Sequence, residues 1–445
     1  MTQQESETPW YESSFELLET LVGDDQSAEI EAIRTKAHQD FLKIGLPKSK
    51  TEDWKYTDIR ELRTRQFSLA DKGVVSQVDD AARKSKTIAD ISELSLQTVD
   101  GFVANNLDAL RALLPKGVIL STLREAFANR DSGLLELYRE HFGQIATTEN
   151  DFVVAFNTSF FQDVLIVHVP AGAQVEQPLY IQHIASGLQQ STATFPRILC
   201  VVEAGAKLAL VEHFATLTSE GGFTASVTEL VVGDNAEVSH YQLGLESDDH
   251  IRISRLASKQ GRDARVRFHS STFGGQLVRN EVCPTLTGVN GFTGLYGISV
   301  LSGNQHVDNH TVLDHSVPHC ESDERYKGIY DGKSEGVFCG TIIVREDAQK
   351  TNAIQNNAAV LLSDRATVNT KPQLKIWADD VKCTHGATVG QLDQVQLFYL
   401  RSRGIGEKDA RNLLLRAFAG EVTQEIELDA LRSAIEQMVV DKLSL

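Results

Sequence analysis

No stretch of this chain approaches the roughly 18 consecutive apolar residues of a membrane-spanning helix, so no membrane is expected as a partner. Positive charge is also short, with 43 Lys and Arg against 61 Asp and Glu and a formal charge of -18. Binding nucleic acid requires a basic track along the phosphates, and none stands out, so no nucleic acid is expected either. The five cysteines, Cys200, Cys283, Cys320, Cys339 and Cys383, are scattered, odd in number and free of any C-x-x-C pair. A disulfide framework is therefore not expected, and reduced thiols suit a cytoplasmic protein. The acidic opening MTQQESETPWYE has no basic segment ahead of an apolar one, so no secretory signal is expected.

Enzyme signatures are missing as well. There is no G-x-x-x-x-G-K-[ST] loop for nucleotide, no G-x-S-x-G elbow and no H-E-x-x-H, and the glycines of GQLVRN and GFTGLYG read as turns. Paired acids for sugar cleavage are a three-dimensional property. A carbohydrate-active lyase or hydrolase built on a β-helix therefore stays open as an alternative to a non-enzymatic protein.

What the chain does contain changes character along its 445 residues, enough for more than one domain. Residues 1–150 read as mostly helical. ESSFELLETLV and AEIEAIRTKAHQDFLKIG carry apolar residues at three- and four-residue spacing, the second ending at Gly45, and LDALRALLPKGVILSTLREAF and SGLLELYREHF continue the pattern. From 151 to 392 the texture is short apolar strands broken by small turns, without regular crossover helices. A local frame of Ala, any residue, then Val or Leu recurs at Ala173–Val175, Ala206–Leu208, Ala236–Val238 and Ala366–Val368. Both a parallel β-helix and a large β-sandwich fit, and the length favours the β-helix. Residues 393–445 return to helical period, either packing on the strand domain or offering an apolar face to a partner.

Two groups of side chains carry candidate chemistry. Cys383 and His385 flank Thr384, so in a strand they share a face and present half of a metal or iron–sulfur site. A structural role for the pair competes with that reading. QHVDNHTVLDHSVPHCESD gathers His306, His310, His315, His319 and Cys320 as candidate metal ligands, with His306, Asp308 and His310 on one face of a strand. Polar ladders between rungs would explain the same residues without metal. Trp54 and Tyr56, beside Lys50 and Lys55, form either an interaction patch or an anchor between helices and strands.

Three stretches then carry a resemblance. NTKPQLKIWADDVKCTHGATVGQLDQVQLFYLRSRGI with LLLRAFAGEV, LPKSKTEDWKYTDI, and GIYDGKSEGVFCGTIIVREDAQKTNAIQNNAAVLLSD closely resemble the SufB/SufD family of iron–sulfur assembly scaffolds. Where SufB members carry Glu, this chain has His385, which is the SufD pattern. The resemblance implies a right-handed parallel β-helix flanked by N- and C-terminal helices, and no enzymatic activity. It also implies pairing with a SufB-like paralogue through the β-helix ends and docking of a SufC-like ATPase on Ala410–Met438. A homodimer of the isolated chain remains open. No cofactor would be held permanently, while iron or a nascent iron–sulfur cluster would pass through a site shared with SufB. On this basis His385 is the ligand and Cys383 an accessory. The family assigns no role to the His306–Cys320 group.

Overall fold

The computed structural model describes residues 9–22, 27–48, 51–188 and 191–444, so Lys50 lies outside the described residues. The chain is mainly β, a parallel solenoid of about seven turns between helical ends. Each turn gives one strand to each of two sheets. One sheet stacks Arg197–Val202, Phe223–Val232, Ile251–Gln260, Leu277–Leu286, His306–His315, Glu335–Val344 and Thr367–Ile376. The other stacks Lys207–Thr216, Glu237–Leu245, Arg265–Thr272, Phe292–Leu301, Glu321–Tyr330, Asn352–Leu361 and Lys382–Gly390. The pairing is parallel and in register, carrying Phe223 onto Ile251, Leu277, His306, Glu335 and Thr367 in turn.

Strand periodicity sends alternate residues to opposite faces. Leu208, Leu210, Leu230, Val238, Leu295 and Ile342 fill the lumen. The outer faces carry a second set. Outside the first sheet, Phe195 and Phe223 meet Trp10, Phe41, Phe156 and Phe160 from the N-terminal helices, with Phe41 stacked on Phe156 at 4.5 Å. Outside the second, Tyr241, Leu243 and Ile298 are buried under Leu415, Leu431 and Ile435 of the helices Glu407–Thr423 and Asp429–Ser444. Each such aliphatic or aromatic side chain contributes about 1.5–3 kcal/mol of burial. Where these helices cover them the sheets are buried on both faces, as the continuous burial of Arg197–Val202 shows.

The Ala-x-Val frame marks a corner. Ala206, Ala236 and Ala264 precede Leu208, Val238 and Val266, which stack directly. Immediately ahead of them Gly205, Asn235 and Asp263 adopt positive φ, and Asn290, His319 and Lys350 repeat the conformation at the same corner of later turns. These residues also link up: the Gly205 amide donates to Asp234, Asn235 to Arg262, Asp263 to Val289 and His319 to Gln349. Left-handed backbone is tolerated by Gly, Asn, Asp and His, and the hydrogen bonds between rungs offset its cost. Ala366–Val368 looks alike in sequence but opens a strand of the other sheet.

The N-terminal region has helices Trp10–Val22, Ala28–Ile44 and Ser132–His141. Ala28–Ile44 begins at the Ser27 cap and stops at Gly45, whose φ is 66. It also holds strands that helical periodicity did not announce. Ser95–Val99 runs parallel to Leu179–Ala185 and extends the second sheet, and Ile119–Thr122 pairs antiparallel with Leu165–Val169 and extends the first. A helical reading of GVILSTLREAF missed that Thr122 caps the helix Leu123–Ala128 through a capping box with Glu125, so the β-branched residues before it are free to form a strand. Trp54 is an anchor: it packs on Phe152, and the Arg279 guanidinium lies 3.8 Å from its ring centroid. Tyr56 is exposed, with the Lys55 ammonium over its ring.

Candidate functional site

The two ends of the solenoid differ. At the low-numbered end the added N-terminal strands continue both sheets. At the high-numbered end Thr367–Ile376 and Lys382–Gly390 are paired on one side only. An unpaired edge presents a row of N–H and C=O groups that a second chain can complete. Pro372 interrupts the donors of the first edge strand, whereas Lys382–Gly390 contains no proline and keeps all of its donors. Ile376, Trp377 and Val389 are exposed there, Trp377 at 56%.

Cys383 and His385 lie on this last rung. In register Cys383 stacks on Ala353 and His385 on Gln355, both fully buried, so the pair points into the lumen at its mouth. Cys383 is half-buried against the lumen core, and burial raises its thiol above the ordinary value. The protonated thiol is therefore favoured over the thiolate. His385 is exposed because no rung lies beyond it. Beneath it, the Gln355 amide donates to Glu324 at 2.7 Å, and the Thr311 hydroxyl donates to the other Glu324 oxygen at 2.5 Å. Burial pushes the Glu324 carboxyl up to about 7, against the pull of those two hydrogen bonds.

The His306–Cys320 residues are spread over four environments. His306 and His310 share the outward face of one strand, as their spacing predicts, with Asp308 between them. His306 meets Thr57 at 3.2 Å and Glu335 at 3.3 Å. His310 borders a cleft of about 490 Å³ between the Trp54 segment and the sheet, beside Arg255, Arg279 and Glu281. Burial and the neighbouring Arg279 lower its pKa. Burial would raise Glu281, yet Arg279 and Arg255 hold it at about 2. His315 faces the lumen instead, bonded to Ser322 at 3.0 Å, and burial pushes it down to about 4. His319 sits exposed at its corner and Cys320 is buried in the lumen core. Among the described residues no three His, Cys, Asp or Glu side chains are placed to hold a metal together.

Beyond the last rung the helix Gln394–Ser402 is capped by Asp393 and buries Leu397, but leaves Val395 77% and Phe398 73% exposed, with Tyr399 beside them. This is an apolar face outside the packed helices Glu407–Thr423 and Asp429–Ser444, and the wider sequence reading of Ala410–Met438 did not single it out.

The comparisons agree with this architecture. Residues 5–181 match the family model for the SufBD protein N-terminal region, and residues 183–418 match that for the SUF system FeS cluster assembly, SufBD core domain. The chain belongs to the SufB/SufD family. It is 31% identical over 409 residues to the iron–sulfur cluster assembly protein SufD of Escherichia coli, covering 91% of both chains. An iron–sulfur cluster assembly SufBD family protein of Synechocystis is 31% identical over 404 residues, covering 89% of this chain and 87% of that one. SufD of Bacillus subtilis is 24% identical over 425 residues. The SufBD core model spans both the open end with His385 and the helix Gln394–Ser402. Gln355 and Glu324 have no local motif. Only the register, which places Glu324, Gln355 and His385 on consecutive rungs, brings them together.

Proposed function

We propose that this SufBD-family chain is the SufD-type, non-enzymatic half of a cytoplasmic iron–sulfur assembly scaffold. Its open solenoid end pairs with a SufB-like paralogue, and the apolar face of Gln394–Ser402 together with the helices that follow receives a SufC-like ATPase. The observation that carries this reading is a pair of metal-competent side chains, Cys383 and His385, at the mouth of an uncapped solenoid. A shared face and a half-complete donor set call for ligands from across a junction. Iron or a nascent cluster is cargo here. His385 presents a nitrogen to it while Cys383 supplies a thiolate once its proton is displaced, and the junction excludes water. Nucleotide chemistry belongs to the ATPase. The family match removes the support for a carbohydrate-active enzyme.

The test is iron and acid-labile sulfide in the anaerobically reconstituted complex with SufB- and SufC-type partners, for wild type and His385→Ala. Loss of cluster from an intact His385→Ala complex is the expected result. Equal cluster content in both would remove His385 from the chemistry, and failure of the wild-type chain to join the complex would end the scaffold reading.

A further inference from the structure

We propose that Gln355 is the positioning residue for His385: its side-chain carbonyl, one rung inside the lumen, accepts the proton of one imidazole nitrogen and leaves the other nitrogen bare toward the open end. The functional meaning rests on the assembly reading above, while the geometry does not.

Three observations converge on it. Gln355 is wholly buried, and its amide nitrogen is committed to Glu324 at 2.7 Å, while Glu324 is also engaged by Thr311. Both Glu324 oxygens accept, one from Thr311 and one from Gln355, and above about pH 7 the ionised carboxylate accepts only, so the carboxamide turns its nitrogen to Glu324 and its oxygen away. That oxygen, Oε1, is buried and has no hydrogen-bond partner. A buried acceptor left unmade is costly, so this oxygen favours a donor that can reach it. The residue stacked on Gln355 in register is His385, about 4.8 Å further along the solenoid and on the same lumen-facing side. The facing strand makes room for the arrangement. A Cβ at Gly340 would come to 2.5 Å of the Gln355 amide nitrogen, so glycine there keeps the side chain in its place.

A neutral imidazole has one N–H and one bare nitrogen, and a carbonyl oxygen can only accept. Gln355 therefore selects a tautomer, and the nitrogen it leaves bare is the one able to bind a metal. Glu324 acts one step further back by fixing which way the carboxamide points.

The experiment measures the ring-nitrogen chemical shifts of His385 in the full-length chain with 15N-labelled histidine. Its signal is identified among the 13 histidines as the one lost in His385→Asn. At about pH 8.5 the shifts of its two ring nitrogens report the tautomer ratio. Wild type should depart from the urea-unfolded chain by about fivefold in that ratio, the equivalent of about 1 kcal/mol for one hydrogen bond. Gln355→Leu should bring the ratio back to the unfolded value. A ratio that Gln355→Leu leaves unchanged overturns the proposal. If the leucine chain does not fold, wild type decides alone: a ratio equal to that of the unfolded chain overturns the proposal, and a fivefold departure supports it. No iron is involved, so a cluster that forms equally well in His385→Ala would remove His385 from the cluster chemistry and leave this result standing.

Discussion

Replacing Glu324 with glutamine isolates one buried titration. The carboxyl sits in the lumen beneath Gln355, and burial raises it to about 7 from an ordinary 4.5. A native value above the unfolded one means that the folded chain holds the proton more tightly. The stability it contributes is therefore complete below about pH 4.5, falls as pH rises and is lost above 7. At about 1.4 kcal/mol for each pH unit separating the two values, the span is about 3 kcal/mol. Glu324→Gln cannot titrate. It also offers a single acceptor to Thr311 and Gln355, a loss of about 1–3 kcal/mol that does not depend on pH. The intercept therefore decides nothing and the slope decides everything. Urea unfolding of both chains followed by far-UV circular dichroism from about pH 4.5 to about pH 8.5 gives the difference at each pH, in which every other shared titration cancels. The difference should move by about 3 kcal/mol in favour of glutamine toward the alkaline end. Parallel curves would refute the reasoning and place Glu324 in a far wetter site than the structure does.

Two further outcomes follow from the same geometry. Trp54→Ala removes the ring that joins Phe152 to the Arg279 guanidinium and should destabilise the chain by about 3–5 kcal/mol, seen as a lower thermal midpoint with earlier proteolysis near residue 54. Phe398→Ser alters an exposed side chain and should leave stability within about 0.5 kcal/mol. If Gln394–Ser402 receives the ATPase as proposed, the same substitution should weaken its binding by about 2 kcal/mol or more in titration calorimetry, and an unchanged affinity would move the docking site elsewhere.

The solenoid was legible because each strand is short, apolar on alternate residues and closed by a corner of small residues. Ala206–Leu208 and Ala236–Val238 are one column of that corner. Ala366–Val368, a similar tripeptide, lies in the other sheet, since three residues carry no information about which corner they turn. Ser95–Val99 was hidden because its partner Leu179–Ala185 is far away in sequence, and pairing rather than propensity makes it a strand. Cys383 and His385 could be placed on one face from spacing alone, as could His306 and His310. His315 could not be grouped with them, because odd spacing along the same strand turns it into the lumen. His319 was drawn in by residue type, although its position is a backbone corner shared with Asn235, Asp263 and Asn290.

Under the proposed assembly, register also gives a reason to build a transfer site at a solenoid mouth. Within the solenoid the lumen side chains have neighbours on the rungs above and below, and polar groups placed there close on one another, as Glu212 does with His240 at 2.7 Å and His183 at 3.4 Å. Such a closed set holds whatever it binds, which suits a structural site and hinders release. The last rung is the one position where side chains have support on one side and nothing on the other. His385 and Cys383 are supported by the strand beneath them and open on the other side. Under the proposed assembly, a small displacement at the junction would remove half of the ligands at once. Release then requires no change inside the solenoid, whose in-register, close-packed rungs are poorly suited to changing shape.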